Sequence, residues 1–513
     1  MLLALPPILS PRNSFSTKAI GTILALCCIS PICAEVRVPN VFSDHMVLQR
    51  NLANKVWGRA EAGESVSVEI AGQSHDTNAD ASGNWELKLD ALEAGGPYEL
   101  VVKGSNTITI TDVLVGEVWI CSGQSNMAWT VNRAYDYDLE KLTADHPQIR
   151  MVNFPQVGTQ EPIWEHPQSK WQVCTPESVG SFSAVGYYFG KQLHETVHVP
   201  IGLINNAWGG SAAEAWVPRN RLEQAGQYSA MLKQYDEMAA NYKSLEEKGE
   251  LTDKEKEQRD SLARLVKGNH RPANIYNGVL KSHLGYGIRG AIWYQGESNA
   301  PRAYQYRDLF PLMIRTWRDE WGIGDFPFYW VQLADFRDEK DSPGESDWAE
   351  LREAQTMSQA LPHTGQAVII DIGEGKDIHP KNKIDVGRRL ARLALADVYG
   401  IEIASRSPEY ASMKISENKV VLSFNHVDGG WRPFDTASPQ GFSVAGSDKQ
   451  FVWAQAKILE NGDIEVWSSN VASPVAVRYG WSDNPNVNMY DSANLPLTPF
   501  RTDNWPGVTV GKE

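Results

Sequence analysis

The sequence predicts an α/β fold with a β-rich module on either side. Between residues 112 and 400, apolar runs alternate with stretches of helical periodicity, which is the pattern of a parallel sheet covered by helices. Before and after this region, apolar and polar residues alternate in short runs bounded by Gly, Asn and Pro, as in antiparallel strands and hairpins. The chain has 513 residues, more than one hydrophobic core usually supports, so accessory modules are expected.

The first 34 residues have the pattern of an export signal. They contain Arg12 and Lys18 but no acidic residue, and an almost wholly apolar run from Ala19 to Cys33 ends at Ala34. We therefore predict a signal peptide over residues 1–34 and a secreted or periplasmic protein, with a membrane anchor as the alternative. After removal of the signal, we expect no association with a membrane.

The two flanking modules are predicted from their turn signals. Residues 35–111 contain VSVEIAG, DASGNWELKLDAL, PYELVVKG and NTITITD, which predict a small N-terminal β-sandwich. Residues 401–513 contain KVVLSF, FVWAQAKILENGDIEVWS and PVAVRYGWSD, which predict a C-terminal β-rich domain. The N-terminal module carries no plausible catalytic cluster.

The α/β region, residues 112–400, has five apolar runs that we interpret as buried strands. Each of these strands ends in a polar, Gly-containing loop. The runs are VLVGEVWIC, PIGLINNAWGG, IRGAIWYQG, FPFYWVQLA and QAVIIDIGEG. A charged stretch between about residues 222 and 268 predicts a solvated helical hairpin inserted into this region. In open α/β sheets, ligands bind in the crevice beyond the carboxyl ends of the strands, so these loops are where a site is expected.

Composition and charge limit the possible partners. The formal net charge of -15 argues against nucleic acid as a partner, because proteins bind its phosphate backbone through Lys and Arg. The 18 Trp suit stacking on sugar rings, although packing in a core is the commoner role of any one Trp. Without residues 1–34, the remaining Cys are Cys121 and Cys174, which either pair or stay as buried thiols. Neither has metal-ligand spacing, and we expect no cofactor.

Ser125 is the candidate nucleophile. It lies in SGQSNMAW, directly after the predicted strand VLVGEVWIC, and Gly123 permits a tight turn from strand to helix. Its N–H, near a helix N-terminus, is suited to a developing oxyanion. Serine is a poor nucleophile alone, so the site also requires a base.

His379 is the best candidate base among the 11 His. It follows a predicted buried strand, lies in the Gly-rich loop GEGKDIHPKNK and has carboxylates nearby. It would take the proton from Ser125 and return it to the leaving group. Our choice of orienting acid is Asp377, because residues i and i+2 of an extended segment point to one side. Asp371 and Glu374 are the alternatives.

Two further loops supply candidate contacts to the oxyanion and the substrate. The Gly210 N–H in NNAWGGSAAEAW approaches an anion without Cβ interference, and the Gln295 amide in WYQGESNA adds a side-chain donor. We therefore predict an oxyanion hole formed by Ser125, Gly210 and Gln295. The predicted substrate contacts are Asn126, Trp208, Glu297 and Asn299. Either loop alone would suggest only a turn.

Four segments, GQSNM, WGGS, WYQGESN and DIHPKNK, occur in this order at predicted strand ends. They resemble the sialate O-acetylesterase family within the SGNH (GDSL-type) hydrolase superfamily. VFSDHMVLQR near the N-terminus, LREAQ at 351–355 and PFRTDNW near the C-terminus also resemble that family. The resemblance therefore covers nearly the whole chain after residue 34.

The resemblance implies a flavodoxin-like three-layer α/β/α SGNH hydrolase domain that hydrolyses carbohydrate O-acetyl esters without a metal. It makes Ser125 the nucleophile and His379 the base, with Gly210 and the Gln295 loop at the oxyanion. Two positions depart from the superfamily pattern. The acid usually stands three residues before the histidine, where this chain has Lys376, and QGESN replaces the block that carries a catalytic Asn.

The predicted function is a secreted carbohydrate O-acetylesterase with a Ser-His-Asp acyl-enzyme mechanism. An acetylxylan esterase of plant-polysaccharide degradation and a non-catalytic carbohydrate-binding protein are the alternatives. Arg271, Arg302 or Arg352 would suit the carboxylate of an acidic sugar, although an ion pair within the protein is the commoner role of such residues. The sequence does not predict an oligomeric state.

Overall fold

An eleven-stranded sheet organises residues 35–512, which are the residues that the computed structural model describes. The predicted signal peptide, residues 1–34, lies outside them. The sheet has an antiparallel part formed by the N-terminal module and a parallel part formed by the middle of the chain. Both parts use the same long strand, so the two modules are continuous in the sheet.

Short strands form the N-terminal module. They are β1 (Val47–Gln49), β2 (Lys55–Arg59), β3 (Ser65–Ile70), β4 (Gln73–Asn78), β5 (Asn84–Lys88), β6 (Gly95–Lys103) and the first part of β7 (Thr107–Gly123). β4, β3, β6 and β7 pair in that order, β2 pairs with β5, and β1 runs parallel to β7. In β3, Val66, Val68 and Ile70 are buried while their neighbours are not, which is the alternation that the sequence predicts.

β7 crosses the predicted module boundary at residues 111 and 112. Its first part pairs with β6, whereas Trp119 lies beside Leu203 and Gly290 of the parallel sheet. Burial changes in the same place: it is interrupted up to Asp112 and continuous from Val113 onwards. A strand buried on both faces reads as a continuous apolar run, which explains VLVGEVWIC.

Parallel strands continue from β7 through the middle of the chain. They are β8 (His146–Asn153), β10 (Ile201–Asn205), β11 (Gly290–Tyr294), β12 (Phe328–Val331) and β13 (Thr364–Ala367), with β9 (Gln172–Cys174) antiparallel at the edge. The spatial order is β13, β12, β11, β7, β10, β8 and β9. The ends of β7, β10 and β11 are therefore neighbours, and their loops meet.

Helices connect these strands and cover the parallel sheet on both faces. They are α1 (Ser125–Ala128), α2 (Tyr137–Thr143), α3 (Ala184–Val197), α4 (Arg219–Ala225), α5 (Ser229–Glu246), α6 (Asp253–Val266), α7 (Asn274–Gly278), α8 (Ala303–Trp321), α9 (Asp347–Met357) and α10 (Lys383–Asp397). Trp293 and Trp317 lie in the core on one face, and Trp119 and Leu390 in the core on the other. The predicted three-layer α/β/α fold is confirmed. Within residues 35–512, no helix has the length and apolarity needed to cross a membrane.

The predicted helical insertion is present as α5 and α6, which pack against each other. A capping box begins α6, because the Thr252 hydroxyl accepts from the Glu255 N–H while the Glu255 carboxylate accepts from the Thr252 N–H. Both helices expose mostly polar and charged residues. The last predicted strand, in contrast, is displaced from the run QAVIIDIGEG, which begins at Gln366. β13 begins earlier, at Thr364, and ends at Ala367, opposite Val331 at the end of its neighbour β12.

The C-terminal module is a sandwich of two four-stranded antiparallel sheets. Its strands are β14 (Glu409–Ser416), β15 (Lys419–Asn425), β16 (Phe442–Ala445), β17 (Phe451–Trp453), β18 (Gln455–Ile458), β19 (Ile464–Trp467), β20 (Ala476–Tyr479) and β21 (Phe500–Arg501). The sheets enclose a core that includes Val420, Val444 and Val466. The buried side chain of Arg352 in α9 donates to the carbonyls of Ser482 and Asp483, which fastens the sandwich to the α/β region.

Candidate active site

Ser125 lies at the turn between β7 and α1, as the sequence predicts. Gly123 has a φ of +132°, and a Cβ at this position would lie 2.2 Å from the Tyr294 carbonyl oxygen, so the turn requires glycine. The Gln124 N–H donates to the same carbonyl at 2.9 Å and fixes the turn against β11. The half-buried Ser125 is therefore presented at the carboxyl end of the sheet.

His379 reaches Ser125 from the loop between β13 and α10. Its Nε2 lies 2.8 Å from the Ser125 Oγ, a hydrogen-bonding distance. The imidazole stacks on the indole of Trp129, with ring centroids 5.0 Å apart and an interplanar angle of 18°. Partial burial lowers the pKa of His379 below its ordinary value. The ring is therefore mostly neutral near pH 7 and able to accept a proton.

Of the three candidate acids, Asp377 is the one beside the imidazole. Its Oδ1 lies 3.4 Å from the His379 Nδ1 and accepts from the His379 N–H at 2.9 Å. That backbone hydrogen bond is the main reason why the pKa of Asp377 is lowered. Asp371 forms a two-pronged ion pair with Arg389 instead. Glu374 accepts from the Lys381 N–H.

Gly209 lies beside the nucleophile, and Gly210 follows it in the same loop. A Cβ at Gly209 would lie 3.4 Å from the Ser125 Cβ, and Gly210 has a left-handed φ of +71°. The Gly210 carbonyl contacts the His270 Nε2 at 2.7 Å and accepts from the Ser298 hydroxyl at 2.9 Å. Within residues 35–512, the N–H groups of Ser125 and Gly210 have no acceptor, so both are available to an oxyanion.

The prediction for Gln295 is wrong in the structure. Its side chain is fully buried, and its Nε2 donates to the Ser211 carbonyl at 3.1 Å and to the Asn299 Oδ1 at 2.7 Å. Its Oε1 accepts from the Tyr306 hydroxyl at 2.9 Å. The amide therefore holds two loops together inside the core, and its donors are already used.

Two predicted substrate contacts, Asn126 and Asn299, are also buried. Asn299 accepts from the Ala213 N–H and donates to the Glu214 carboxylate, so it has a structural role. Asn126 donates to Glu297 at 2.7 Å. Glu297 is itself mostly enclosed, and burial raises the pKa of its carboxyl. Asn126 and Asn299 are therefore too enclosed to contact a substrate directly, whereas the substrate contact of the partly exposed Glu297 stays a prediction.

Trp208 and Trp129 are the aromatic residues placed near the nucleophile. Trp208, a predicted substrate contact, stays partly exposed, and its N–H donates to the Gly123 carbonyl at 3.0 Å. Trp129 was not predicted, although its position one helical turn after Ser125 is the signal that would have found it. The guanidinium of Arg133 lies 3.6 Å above the Trp129 ring. The exposed cation of Arg133 therefore covers the buried indole that packs on His379.

The three arginines considered for an acidic sugar are engaged elsewhere. Arg302 forms an ion pair with Glu214 at 2.6 Å. Arg352 is fully buried and donates only to carbonyls, and Arg271 donates to the Val266 carbonyl. All three therefore have structural roles.

Cys121 and Cys174 are buried free thiols, so they do not pair. Burial raises the pKa of both thiols, which keeps them protonated and unreactive. In the described part of the chain, no three His, Cys, Asp or Glu side chains converge in the way that a metal site requires.

Comparison with known proteins agrees with this geometry. A family model described as "Carbohydrate esterase, sialic acid-specific acetylesterase" matches residues 115–251 and 267–396. The gap between the two matched segments coincides with α6. The match therefore spans the α/β region that carries Ser125 and His379.

Several relatives cover nearly the whole chain. The sialate O-acetylesterase of Mus musculus is 29% identical over 90% of this chain and 94% of its own, and that of Homo sapiens is 27% identical over 92% and 94%. The crystal structure of a carbohydrate acetylesterase from Xanthomonas citri is 38% identical, with a TM-score of 0.80, over 92% of this chain and 100% of that one. The chain therefore belongs to the carbohydrate esterase family of sialic acid-specific acetylesterases, and it is a carboxylic ester hydrolase.

Proposed function

We propose that the chain removes O-acetyl groups from carbohydrates by a Ser-His-Asp acyl-enzyme mechanism. The observation that carries this proposal is the 2.8 Å contact between the Ser125 Oγ and the His379 Nε2 at the carboxyl ends of the parallel strands. The family and the full-length relatives support acetylated sugar as the substrate class. A protein that only bound sugar would not require a neutral imidazole within hydrogen-bonding distance of a serine hydroxyl.

The first half of the reaction transfers the acetyl group to the enzyme. His379 takes the hydroxyl proton as the Ser125 Oγ attacks the acetyl carbonyl carbon. The carbonyl oxygen becomes an oxyanion, which the N–H groups of Ser125 and Gly210 stabilise. When the intermediate collapses, the bond to the sugar oxygen breaks and the imidazolium returns the proton to that oxygen. The products are a free sugar hydroxyl and an acetyl ester on Ser125.

The second half releases acetate. His379 takes a proton from water, the resulting hydroxide attacks the acetyl carbon, and the bond to the Ser125 Oγ breaks as the proton returns to it. Asp377 stabilises the imidazolium in both halves, because its carboxylate lies 3.4 Å from the Nδ1. No step consumes more than the ester and one water.

The test is acetate release by Ser125→Ala. We expect activity towards 4-nitrophenyl acetate to fall by at least about a thousandfold, because the nucleophile is lost while the fold is kept. Ser122→Ala is the matched control, since the buried Ser122 hydroxyl has no partner in the described part of the chain and its removal should leave activity intact. A folded Ser125→Ala variant with full activity would refute the mechanism.

We also propose that the sugar is acidic, as in a sialate, and that Arg133 favours it. The exposed Arg133 guanidinium donates no hydrogen bond within residues 35–512 and lies on the Trp129 ring that packs on His379. Because no carboxylate within residues 35–512 pairs with this guanidinium, it can attract the carboxylate of a substrate. Acetylxylan, which lacks such a carboxylate, would gain nothing from it.

Acetate release from sialylated mucin, acetylated xylan and 4-nitrophenyl acetate distinguishes these substrates. Arg133→Gln should raise the KM for acetylated sialate about three- to tenfold and leave the neutral ester unchanged. KM should be measured near pH 8. Arg133 also lowers the pKa of His379, and at this pH the ring is neutral in the wild type and in the variant. Equal effects on acidic and neutral esters would contradict this assignment.

We further propose that the protein is exported. The basic residues and apolar run of the first 34 positions support this proposal. Fractionation of expressing cells, with N-terminal sequencing of the product, should find a protein that begins near Glu35 outside the cytoplasm. A cytoplasmic protein that keeps Met1 would contradict export.

A further inference from the structure

Three polar side chains form a buried cluster directly behind the nucleophile: Asn126, Glu297 and Lys383. The fully buried Lys383 Nζ donates to the Asn126 Oδ1 at 2.5 Å. The Asn126 Nδ2 donates to the Glu297 Oε1 at 2.7 Å and also to the Ile378 carbonyl at 3.0 Å. One amide side chain therefore connects two charged residues and a backbone carbonyl.

The cluster joins the segments that must meet for the reaction. Asn126 directly follows Ser125, and Ile378 directly precedes His379. Lys383 is the first residue of α10, whose N-terminus is fixed by the Asn382 side chain accepting from the Asp385 N–H. Glu297 begins the short helix that follows β11. The Ser125 turn, the His379 loop and the β11 loop are thus held at one point.

A buried lysine is costly unless its ammonium is compensated. In the described part of the chain, no carboxylate forms a hydrogen bond with the Lys383 Nζ, and the Glu297 Oε2 is buried without a hydrogen-bond partner. The rings of Tyr294 and Trp129 lie 5.1 and 5.9 Å from the Nζ and give partial compensation. An apolar side chain could be buried here at a lower cost in free energy, so packing alone does not account for the cluster.

We infer that the cluster of Asn126, Glu297 and Lys383 is a positioning unit that sets the contact between Ser125 and His379. This inference rests on the proposed mechanism, because it assigns no reacting atom to the cluster. Its members act by fixing the Ser125 turn and the His379 loop relative to each other. The amide of Asn126 is the centre of the unit. Asn126 follows Ser125 in the chain, and its side chain donates to Ile378 in the His379 loop and to Glu297 in the β11 loop.

The charge of Lys383 has a second effect on the imidazole. Its ammonium lowers the pKa of His379, as does Arg133, whereas Asp377 raises it. Burial lowers the pKa of Lys383 itself to about 7, against the opposite influence of Glu297, Glu374 and Asp377. In the acidic range where His379 titrates, Lys383 is therefore charged and favours the neutral imidazole. Removing this charge should raise the pKa of His379.

The experiment uses the full chain and two pairs of variants, with 4-nitrophenyl acetate as substrate. Lys383→Met removes the charge, and its control, Lys376→Met, removes an exposed lysine from the loop that precedes α10. Glu297→Ala removes the acceptor for Asn126, and Glu297→Gln restores an acceptor of the same shape. kcat, KM and the pH dependence of kcat/KM are measured after circular dichroism has confirmed the fold.

We expect Lys383→Met to lower kcat at least tenfold, to change KM less than about threefold and to move the acidic limb of kcat/KM to higher pH. Lys376→Met should match the wild type. Glu297→Ala should lower kcat about tenfold, and Glu297→Gln should recover most of it. A loss of stability alone would not move the pH profile in this direction.

Two results would overturn the inference: a folded Lys383→Met variant with wild-type kcat and pH profile, or equal activity of Glu297→Ala and Glu297→Gln. The Glu297 pair decides the question if Lys383→Met does not fold. Failure of the proposed function looks different, because the wild type would then release no acetate or Ser125→Ala would stay active.

Discussion

The imidazole of His379 lies between opposing influences on its charge. Burial, Lys383 and Arg133 favour the neutral ring, and Asp377 favours the imidazolium. The net effect is a lowered pKa, so the ring is a proton acceptor at neutral pH, and the Asp377 carboxylate beside its Nδ1 stabilises the positive charge once the ring is protonated. kcat/KM should therefore rise with pH through a midpoint below the ordinary histidine value of about 6.5.

Asp377→Asn tests this balance. The substitution removes the charge that raises the pKa of His379, so the acidic limb of kcat/KM should move to lower pH. kcat should fall about 10- to 1000-fold because the imidazolium loses its partner in the transition state, with the smaller value favoured by the 42% exposure of the Asp377 side chain. Stopped-flow or steady-state pH profiles check both effects. An unchanged kcat would show that another acid orients the ring.

The contacts among Ser125, His379 and Asp377 were predictable because each residue lies in a short polar motif that follows a buried apolar run. Gln295 and Asn299 were assigned wrongly for the same reason. The sequence pattern of a polar residue after a buried strand is the same whether its side chain points into the cleft or into the core. The structure turns both inward, where Gln295 bonds to Ser211 and Tyr306. Lys383 was overlooked because lysine is rarely buried.

At the scale of elements, β7 connects the N-terminal module to the site. Its end is held by β11, since the Gln124 N–H donates to the Tyr294 carbonyl immediately before Ser125. The apolar run predicted this strand correctly, but it did not reveal that the same strand extends back into the N-terminal module. The position of β13 was also not readable, because it depends on the pairing with β12.

Gly123→Ala should damage the turn at the end of β7. The new Cβ would meet the Tyr294 carbonyl, and the φ of +132° is unfavourable for alanine, so we expect a loss in the free energy of unfolding on the order of 3 kcal/mol and a large loss of kcat. Gly322→Ala is the control, because Gly322 also has a positive φ but open space around it. It should cost about 1 kcal/mol and leave activity unchanged. Denaturant unfolding and activity assays compare them, and equal stability of the two variants would contradict the steric argument.

At the scale of the whole molecule, the C-terminal sandwich is fixed to the α/β region through buried polar contacts. Arg352 donates to the carbonyls of Leu333, Ala334, Ser482 and Asp483. The Glu350 carboxylate accepts from the N–H groups of Val508 and Thr509. Turn signals predicted the sandwich, but these long-range contacts could not be foreseen from either segment alone.

Arg352→Met should loosen this attachment. Four buried carbonyls would each lose a hydrogen bond, and those of Leu333 and Ser482 would keep no donor in the described part of the chain. We therefore expect a decrease in stability of about 3 to 5 kcal/mol and earlier thermal unfolding. Arg392→Met, which removes a single bond to the Ala404 carbonyl, should have a much smaller effect. Thermal unfolding monitored by circular dichroism compares the variants. Identical unfolding curves would show that the sandwich is held by other contacts.

The most direct test of the mechanism is covalent labelling with a serine-directed phosphonate. The adduct is detected by intact mass and located by peptide mapping. Nucleophilic attack by an activated hydroxyl predicts a single adduct on Ser125, no adduct in Ser125→Ala, and labelling slowed about a hundredfold in His379→Ala. An adduct on a different serine, or an active enzyme whose Ser125 stays unlabelled, would contradict the assignment.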